Sequence, residues 1–381
     1  MSRTILLTGA RAPVAVDLAR SFAAAGYEVH LADSVIPWAA RMSRHVRATH
    51  LLAPPRTEFA AFASGLRALA ARLDPVAIVP TCEEVFYVAA AADDLDGRVL
   101  APPLALLRML HSKIDFAEHV RALGMTAPET WRIESRADLA AVPLDPAMLV
   151  LKPEFSRFAT HTLIRPKAAD LARLPLTPER PWAAQRFIAG EELCLWSFAR
   201  AGRIVATVTY RPVWRHGRAA AYAFEAVECP GGLEIARTIA ASGAITGHLS
   251  FDLIVTPAGM VVPIECNPRA ISGLHLFDAQ PALARAMLGE DADPVPTDGL
   301  GYLSPAMAML GLPSALIGAR LSDFVADWRR GHDSIGRTGD RMPVVGTVID
   351  AARFAAKAIR ARHSPTSATT DDIEWNGEAI R

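Results

Sequence analysis

The stretch 248–276 constrains the fold of this chain more than any other part of its sequence. Residues 251–255 and 260–265 are two apolar runs rich in β-branched residues, and the Pro and Gly within 256–259 mark a tight connection between them. Two short β-prone runs joined by such a turn predict a β-hairpin.

Three oxygen-bearing side chains converge on this predicted hairpin. Asp252 lies on the first strand and Glu265 ends the second, and Asn267 falls on the same face as Glu265 because side chains alternate along a strand. Two carboxylates and an amide oxygen suit a hard divalent cation, and Arg269 lies where a guanidinium could meet a phosphate or carboxylate. The alternative is a solvated hairpin with ordinary surface acids. The flanks of Glu265, V-V-P-I and C-N-P-R, favour a buried strand end instead.

The pattern D-L-I-V…P-I-E-C-N-P-R resembles the metal-binding hairpin of the ATP-grasp superfamily, which includes biotin carboxylase, carbamoyl-phosphate synthetase and many stand-alone ligases. This resemblance implies that Asp252, Glu265 and Asn267 hold one or two Mg²⁺ ions, with Mn²⁺ as an alternative, beside the phosphates of ATP. It also implies that Arg269 offsets charge on the transferred phosphoryl group.

Lysine is rare in this chain, since 36 of the 40 basic residues are arginine. Lys113 is the second residue of S-K-x-x-F-x-x-x-V-x-x-L-G-M, which resembles the segment that begins the ATP-grasp fold. Lys152 follows the apolar run M-L-V-L and precedes a proline. By that resemblance both lysines contact the ATP phosphates. The alternative for Lys113 is a solvated lysine on a helix surface.

The segment after Lys152 departs from the ATP-grasp pattern. The superfamily usually has a glycine-rich flap there, whereas residues 154–162 read E-F-S-R-F-A-T-H-T and contain no glycine. Hydroxyl donors and charges are available instead, from Ser156, Arg157, Thr160, His161 and Thr162. Whether this flap closes over phosphates in the usual way is left open.

Residues 182–193, W-A-A-Q-R-F-I-A-G-E-E-L, resemble the hinge strand between the two ATP-grasp lobes. The resemblance implies that four consecutive residues line the adenine edge: Gln185, Arg186, Phe187 and Ile188. It places Glu192 on the ribose hydroxyls, with Glu191 as the adjacent alternative.

A basic stretch follows at residues 210–219, with Arg211, Arg215, His216 and Arg218. We interpret it as a loop facing the substrate or phosphate, with Arg211 as a catalytic candidate. Nucleic-acid contact is the weaker alternative, because one short cluster in a chain with 40 basic and 40 acidic residues creates no net field. Ser272 and His275 could line an acceptor pocket, although His275 could equally be structural.

Residues 1–102 alternate strand and helix, which predicts a parallel sheet with right-handed crossovers. The first turn reads T-G-A-R-A-P rather than G-x-G-x-x-G, so we expect a Rossmann-like scaffold without its own dinucleotide. Glu83 and Glu84 follow the predicted strand 77–80. They could face a ligand cleft at the carboxyl edge of the sheet or simply begin the next helix.

The composition adds exclusions. The four cysteines show no metal-binding spacing, which suits free thiols in a reducing cytoplasm. Residues 299–319 carry no charge, but their prolines and glycines favour a buried helix–turn–helix over a membrane span. We therefore expect a cytoplasmic protein without nucleic-acid or membrane partners, and leave a homodimer open.

The sequence thus predicts an α/β and α+β protein with four parts. These are a pre-grasp Rossmann-like domain (1–102), ATP-grasp lobe A (103–180), lobe B with the metal hairpin (181–300) and a mostly helical extension (301–381). The resemblance implies an ATP-dependent ligase that joins a small carboxylate to a small amine through an acyl phosphate. The alternatives are a biotin-dependent-carboxylase-like subunit and a non-catalytic nucleotide-binding regulator. The altered flap motivates the regulator, and the complete set of metal ligands argues against it.

Overall fold

The structure is a computed structural model that describes residues 3–157, 161–215, 217, 221–362 and 365–381. The predicted site residues Thr160, His216 and Arg218 lie outside these ranges. The strands are β1 Thr4–Thr8, β2 Glu28–Asp33, β3 Val46–Leu51, β4 Ala77–Pro80, β5 Thr130–Ile133, β6 Leu149–Pro153, β7 Leu163–Ile164, β8 Trp182–Arg186, β9 Glu191–Arg200, β10 Arg203–Arg215, β11 Ala221–Val227, β12 Gly247–Val255, β13 Val261–Asn267, β14 Leu300–Tyr302 and β15 His332–Asp333. The α-helices are Val14–Ala24, Trp38–Arg41, Phe59–Leu73, Val85–Ala90, Leu104–His111, Lys113–Ala122, Arg136–Ala141, Ala168–Ala172, Pro230–Ser242, Pro281–Leu288, Ser304–Ala306, Leu312–Ile317, Leu321–Arg330, Met342–Ala361 and Pro365–Ala368.

The N-terminal region forms a four-stranded parallel sheet in the order β3-β2-β1-β4, as its βα alternation predicts. The short apolar runs of β1 and β4 are buried on both faces, which is typical of strands covered by crossover helices. Two details differ from prediction. The half-polar residues V-R-A-T-H-L of β3 do not predict a strand, and the run R-V-L-A at 98–101, which does predict one, forms a single bridge between Ile78 and Val99.

A second, smaller sheet is antiparallel, in the order β5-β8-β6-β7. It brings the end of β6, which carries Lys152, beside β8, the strand that resembles the hinge. The sequence predicts that lobe B begins at residue 181, which would place β8 in that lobe. The structure instead pairs β8 with β5 and β6, because its alternating residues complete the buried face of this smaller sheet.

The third sheet has seven strands in the order β13-β12-β9-β10-β11-β14-β15. The predicted hairpin forms its edge as β12 and β13, and Gly259 takes a φ of +80° in the turn, a backbone conformation that favours glycine. The strands β14 and β15 show that the C-terminal region is not only helical, since it supplies strand residues to this sheet.

The charge-free stretch 299–319 folds as β14 followed by short helical turns that include Leu312–Ile317. The prediction that this stretch is buried holds only for one side. Met307 and Ala315 are buried, whereas the side chains of Leu316 and Ile317 are 60% and 89% exposed. Among the described residues, no helix is long and apolar enough to cross a membrane.

Candidate functional site

The site is centred on the hairpin at the edge of the large sheet. Asp252 on β12 lies directly opposite Glu265 on β13, and Ser250 lies opposite Asn267. The register shifts by one residue between Asp252 and Leu253, so that Ile264 is the extra residue of a β-bulge. The two predicted carboxylates therefore form a cross-strand pair, with Asn267 two residues further along the same strand.

Both scarce lysines identified from the sequence converge on Glu265. The Nζ of Lys113 lies 3.7 Å from Glu265 Oε1, and the Nζ of Lys152 lies 3.5 Å from Oε2. Side chains of both lysines are nearly excluded from water, with 1% and 6% exposed. This is a buried cluster of two cations around one carboxylate, and not the surface lysine that was the alternative for Lys113.

Local structure explains how each lysine reaches the cluster. Ser112 caps the helix Lys113–Ala122 by accepting a hydrogen bond from the Asp115 N–H at 3.1 Å, so Lys113 is the first helical residue and points towards the loop after β6. There its Nζ donates to the Ser156 carbonyl at 2.9 Å. Lys152 extends from β6, and its Nζ lies 3.4 Å from the carbonyl of the bulged residue Ile264.

The charges of the pair are unequal. Burial, and then the negative charge of Glu265, raise the pKa of Asp252 to about 6. Burial alone would also raise the pKa of Glu265, but the charges of Lys113 and Lys152 outweigh it and hold this pKa below its ordinary value. Glu265 is thus the ionised member that neutralises the lysines, and Asp252 is the acid without a comparable cationic neighbour.

This arrangement fits a divalent cation. Facing carboxylates in a cross-strand pair repel each other, and a hard cation between them would relieve that repulsion. In the part of the chain that the structure describes, no group of three His, Cys, Asp or Glu side chains could hold a metal ion. A cation here would therefore need the amide of Asn267 and oxygen atoms of a ligand in addition to Asp252 and Glu265.

Arg269 connects the hairpin to the N-terminal sheet. Its Nε lies 2.5 Å from Glu83 Oε1, and its second terminal nitrogen lies 3.3 Å from Asn267 Oδ1. Glu83 also faces Arg157 at 3.8 Å. Burial would raise the pKa of Glu83, yet the charges of Arg269 and Arg157 lower it to about 2. Of the two predicted acids after β4, Glu83 is therefore the one that reaches the site.

Glu84 instead has a structural role. Its carboxylate accepts hydrogen bonds from the Thr8 hydroxyl at 2.8 Å and from the N–H groups of Thr81 and Cys82 at 3.0 and 3.1 Å. It thereby ties together the loops after β1 and β4, and the interpretation of Glu84 as a helix-opening residue fits better than a ligand-facing one.

The predicted hinge residues lie beside the cluster, but their side chains are partly engaged. Gln185 is buried, and its amide lies 3.4 Å from the Lys113 carbonyl and 3.2 Å from the Thr130 hydroxyl. Gln185 therefore links the start of the helix that carries Lys113 to strand β5.

The backbone of the following residues is also used by the sheet. The N–H groups of Arg186 and Phe187 donate to the carbonyls of Glu129 and Met148 at 2.8 and 2.7 Å. Arg186 also pairs through its side chain with Glu129. Both N–H groups are therefore engaged within the protein and are not free to bind a nucleotide at the predicted adenine edge.

Arg211 and Glu192 lie in a second group of charges, near the end of β10 and the start of β9. Arg211 pairs with Glu191 at 2.5 Å and with Glu225 at 3.6 Å, and Glu192 pairs with Arg215 at 2.6 Å. All of these side chains are 25–46% exposed. The structure does not bring Arg211 into contact with the described residues of the lysine cluster.

Two residues of the predicted acceptor loop are structural. The Ser272 hydroxyl donates to the Ala221 carbonyl at 2.9 Å, and His275 is hydrogen-bonded through Nδ1 to the buried Asp17 at 2.6 Å. His275 joins the loop after the hairpin to the first helix, as its structural alternative requires.

The C-terminal segment contributes to the site in a way that its sequence does not predict. Glu374 pairs with Arg157 and with Arg56, the latter at 2.6 Å, and Trp375 is buried against Phe155. The tail D-I-E-W-N-G carries no motif. A lone tryptophan flanked by polar residues near the C-terminus was the one available signal that this segment docks.

Comparison with known proteins places this geometry in a wider context. The sequence matches no protein-family model and no curated protein. Solved structures do match. An L-amino acid ligase from Bacillus licheniformis is 16% identical over 77% of this chain and 75% of its own, with a TM-score of 0.56. A phosphoribosylamine–glycine ligase from Thermotoga maritima is 18% identical over 78% of both chains, with a TM-score of 0.59. A carboxyaminoimidazole ribonucleotide synthase from Aspergillus clavatus, complexed with ATP, is 17% identical over 83% and 86%, with a TM-score of 0.60.

At these identities the likeness concerns the fold. All three matches extend over more than three quarters of this chain. The chain therefore has the ATP-grasp fold that its hairpin and lysine motifs predict.

Proposed function

We propose that this protein is an ATP-dependent ligase that joins a small-molecule carboxylate to an amine, releasing ADP and phosphate. The observation that carries the proposal is the buried cluster in which Lys113 and Lys152 contact Glu265, opposite Asp252. Two buried ammonium groups beside two carboxylates form the kind of site that binds a polyphosphate together with its divalent cations. The fold, shared with two proteins named as ligases, supports the same reading.

In this proposal the lysines exchange partners when nucleotide binds. Lys113 and Lys152 would turn from Glu265 to phosphate oxygens, and Glu265, Asp252 and Asn267 would then hold one or two Mg²⁺ ions. Bound Mg²⁺ would neutralise charge on the phosphates. Adenosine lies along residues 185–188, with Glu192 or Glu191 on the ribose after its surface arginine partner moves away.

The reaction is a phosphoryl transfer followed by acyl transfer. A carboxylate oxygen of the acid bonds to the γ-phosphorus while the β–γ bridge bond breaks, which gives an acyl phosphate and ADP. The amine then attacks the acyl carbon, phosphate leaves and the nitrogen loses a proton. Phosphoryl transfer is catalysed mainly by positioning and charge stabilisation, so no protein nucleophile is needed. Arg269, beside Asn267, would stabilise charge on the transferred phosphoryl group. We assign Arg211 to the outer rim of the substrate site.

The proposal is tested in two steps. Calorimetry should detect ATP binding with Mg²⁺ and much weaker binding in EDTA, because the anionic pair would otherwise repel the triphosphate. Phosphate release from MgATP is then measured with a panel of carboxylic acids, each with and without a panel of amines.

Release that depends on an acid and increases with an amine is the expected result. MgATP binding without any acid-dependent release would favour the regulator instead. No binding of MgATP at all would overturn the proposal.

A further inference from the structure

The C-terminal segment 369–375 lies across the carboxyl edge of the N-terminal parallel sheet. Asp372 accepts hydrogen bonds from Arg11, in the loop after β1, at 2.6 and 2.9 Å, and from Ser34, after β2, at 2.6 Å. In open α/β sheets this edge is where ligands bind. The C-terminal segment therefore covers the edge of the sheet at which a substrate would bind.

Trp375 fixes the position of this segment. Its ring is 1% exposed and lies 4.9 Å from the ring of Phe86 and 4.8 Å from that of Phe155. The hydroxyl of Tyr87 donates to the carbonyl of Glu374 at 3.0 Å. The N-terminal domain thus holds the backbone of Glu374, and the loop after β6 packs against the next residue, Trp375.

The Glu374 carboxylate lies between two arginines. It pairs with Arg157 and, at 2.6 Å, with Arg56. Arg157 is 6% exposed and lies 3.8 Å from Glu83, which in turn contacts Arg269 at 2.5 Å. Arg157 therefore connects Glu374 to Glu83, and Glu83 connects in turn to Arg269 beside the hairpin.

We propose that Arg56 and Arg157 form the subsite for the carboxylate of the acid substrate, and that Glu374 occupies this subsite in the resting protein as an internal competitor. The idea rests on the proposed function and adds to it a carboxylate-binding group and a regulatory contact. Paired guanidinium groups suit a carboxylate because several N–H donors can meet its two oxygens. Release of Glu374, together with loosening of the segment that its ion pairs hold, would open the subsite.

A tethered competitor lowers the apparent affinity for a free acid by the fraction of time in which it occupies the site. We use glutarate as the probe, because each end of it reproduces the arm of a glutamate side chain. Glu374→Gln should bind glutarate about tenfold more tightly than the parent protein, which corresponds to about 1.4 kcal/mol. Calorimetry on the full chain gives this ratio directly.

Two variants separate this role from a merely structural ion pair. Asp371→Asn removes an acid from the same segment whose carboxylate pairs with Lys357, so it should bind glutarate like the parent. The double variant Arg157→Gln/Glu374→Gln should lose the gain. The proposal is overturned if Glu374→Gln binds glutarate no better than the parent, or if Asp371→Asn gains equally.

MgATP is titrated into the same samples. Normal MgATP binding without a gain in glutarate affinity overturns the subsite and leaves the ligase proposal intact, whereas a glutarate gain without MgATP binding does the reverse. Should Glu374→Gln fail to fold, hydrogen exchange on the parent decides. Saturating glutarate should speed amide exchange in residues 369–377, and unchanged exchange there refutes the competitor.

Discussion

Replacing Glu265 by glutamine would test the lysine cluster most directly. The substitution keeps the size of the side chain and removes a carboxylate that lies within 4 Å of both Lys113 Nζ and Lys152 Nζ. Because both ammonium groups are almost completely excluded from water, losing this nearest counter-ion is costly. We therefore expect the unliganded protein to lose stability as well as activity.

The magnitude follows from the distances. At an effective dielectric constant of about 20, a pair of unit charges about 3.6 Å apart is worth roughly 4–5 kcal/mol. Two effects offset this loss. Removing the Glu265 charge relieves Asp252, whose pKa is now raised to about 6 by burial and by that charge, and Lys113 can lose its proton. Since breaking a buried pair costs about 3–5 kcal/mol, we expect about 3 kcal/mol.

Urea denaturation at pH 7 measures the effect. The matched control is Asp323→Asn, which removes an acid paired with Arg320 at 3.0 Å where both side chains are 53% exposed, and it should change stability by less than about 1 kcal/mol. ATP in EDTA should restore part of the stability of Glu265→Gln, because phosphate oxygens replace the missing charge. Acid-dependent phosphate release should fall about 10²–10³-fold.

A Glu265→Gln protein within about 0.5 kcal/mol of the parent would refute this reasoning, because the lysines would then not depend on Glu265. Activity within a factor of about three of the parent, roughly 0.7 kcal/mol, would remove Glu265 from the catalytic site.

Three further outcomes are expected. Lys152→Ala should weaken MgATP binding at least about tenfold in calorimetry, because a charge-assisted hydrogen bond to phosphate contributes about 1.5–3 kcal/mol; unchanged binding would place the phosphates elsewhere. Asp17→Asn should cost about 3–5 kcal/mol at pH 7, since the fully buried Asp17 pairs with Arg20 at 2.9 Å and His275 at 2.6 Å. Burial would raise the pKa of Asp17, but these partners lower it, so its contribution is present above the unfolded pKa of about 4 and is lost at lower pH. The urea stability of Asp17→Asn should therefore approach that of the parent below about pH 4, and a deficit independent of pH would contradict the assignment. Trp375→Ala should cost about 3–5 kcal/mol in urea, as for other buried aromatic residues, and a loss below about 1 kcal/mol would show that the tail is only loosely docked.

Several elements of this protein were determined by local sequence. The hairpin was predicted because period-two alternation and a Pro–Gly turn specify both its strands and the common face of Glu265 and Asn267. The N-terminal sheet followed from short apolar runs at regular spacing. Scarcity identified Lys113 and Lys152, since two of only four lysines fall at the start of a helix and the end of a strand.

The tertiary structure alone decided which charges meet. Glu83 pairs with Arg269 across 186 residues of chain, and Glu374 pairs with Arg157 across 217. The residues next to them in sequence do not distinguish them from ordinary surface charges. The position of Arg211 was also decided by the tertiary structure. The sequence put Arg211 among the catalytic candidates, and the fold places it on a half-exposed rim. Backbone periodicity determines the face on which a side chain lies, because that depends on dihedral angles a few residues apart. The ion partner of a charge depends on how separate elements pack, and here that packing brings a carboxylate from the C-terminal tail to the edge of the first sheet.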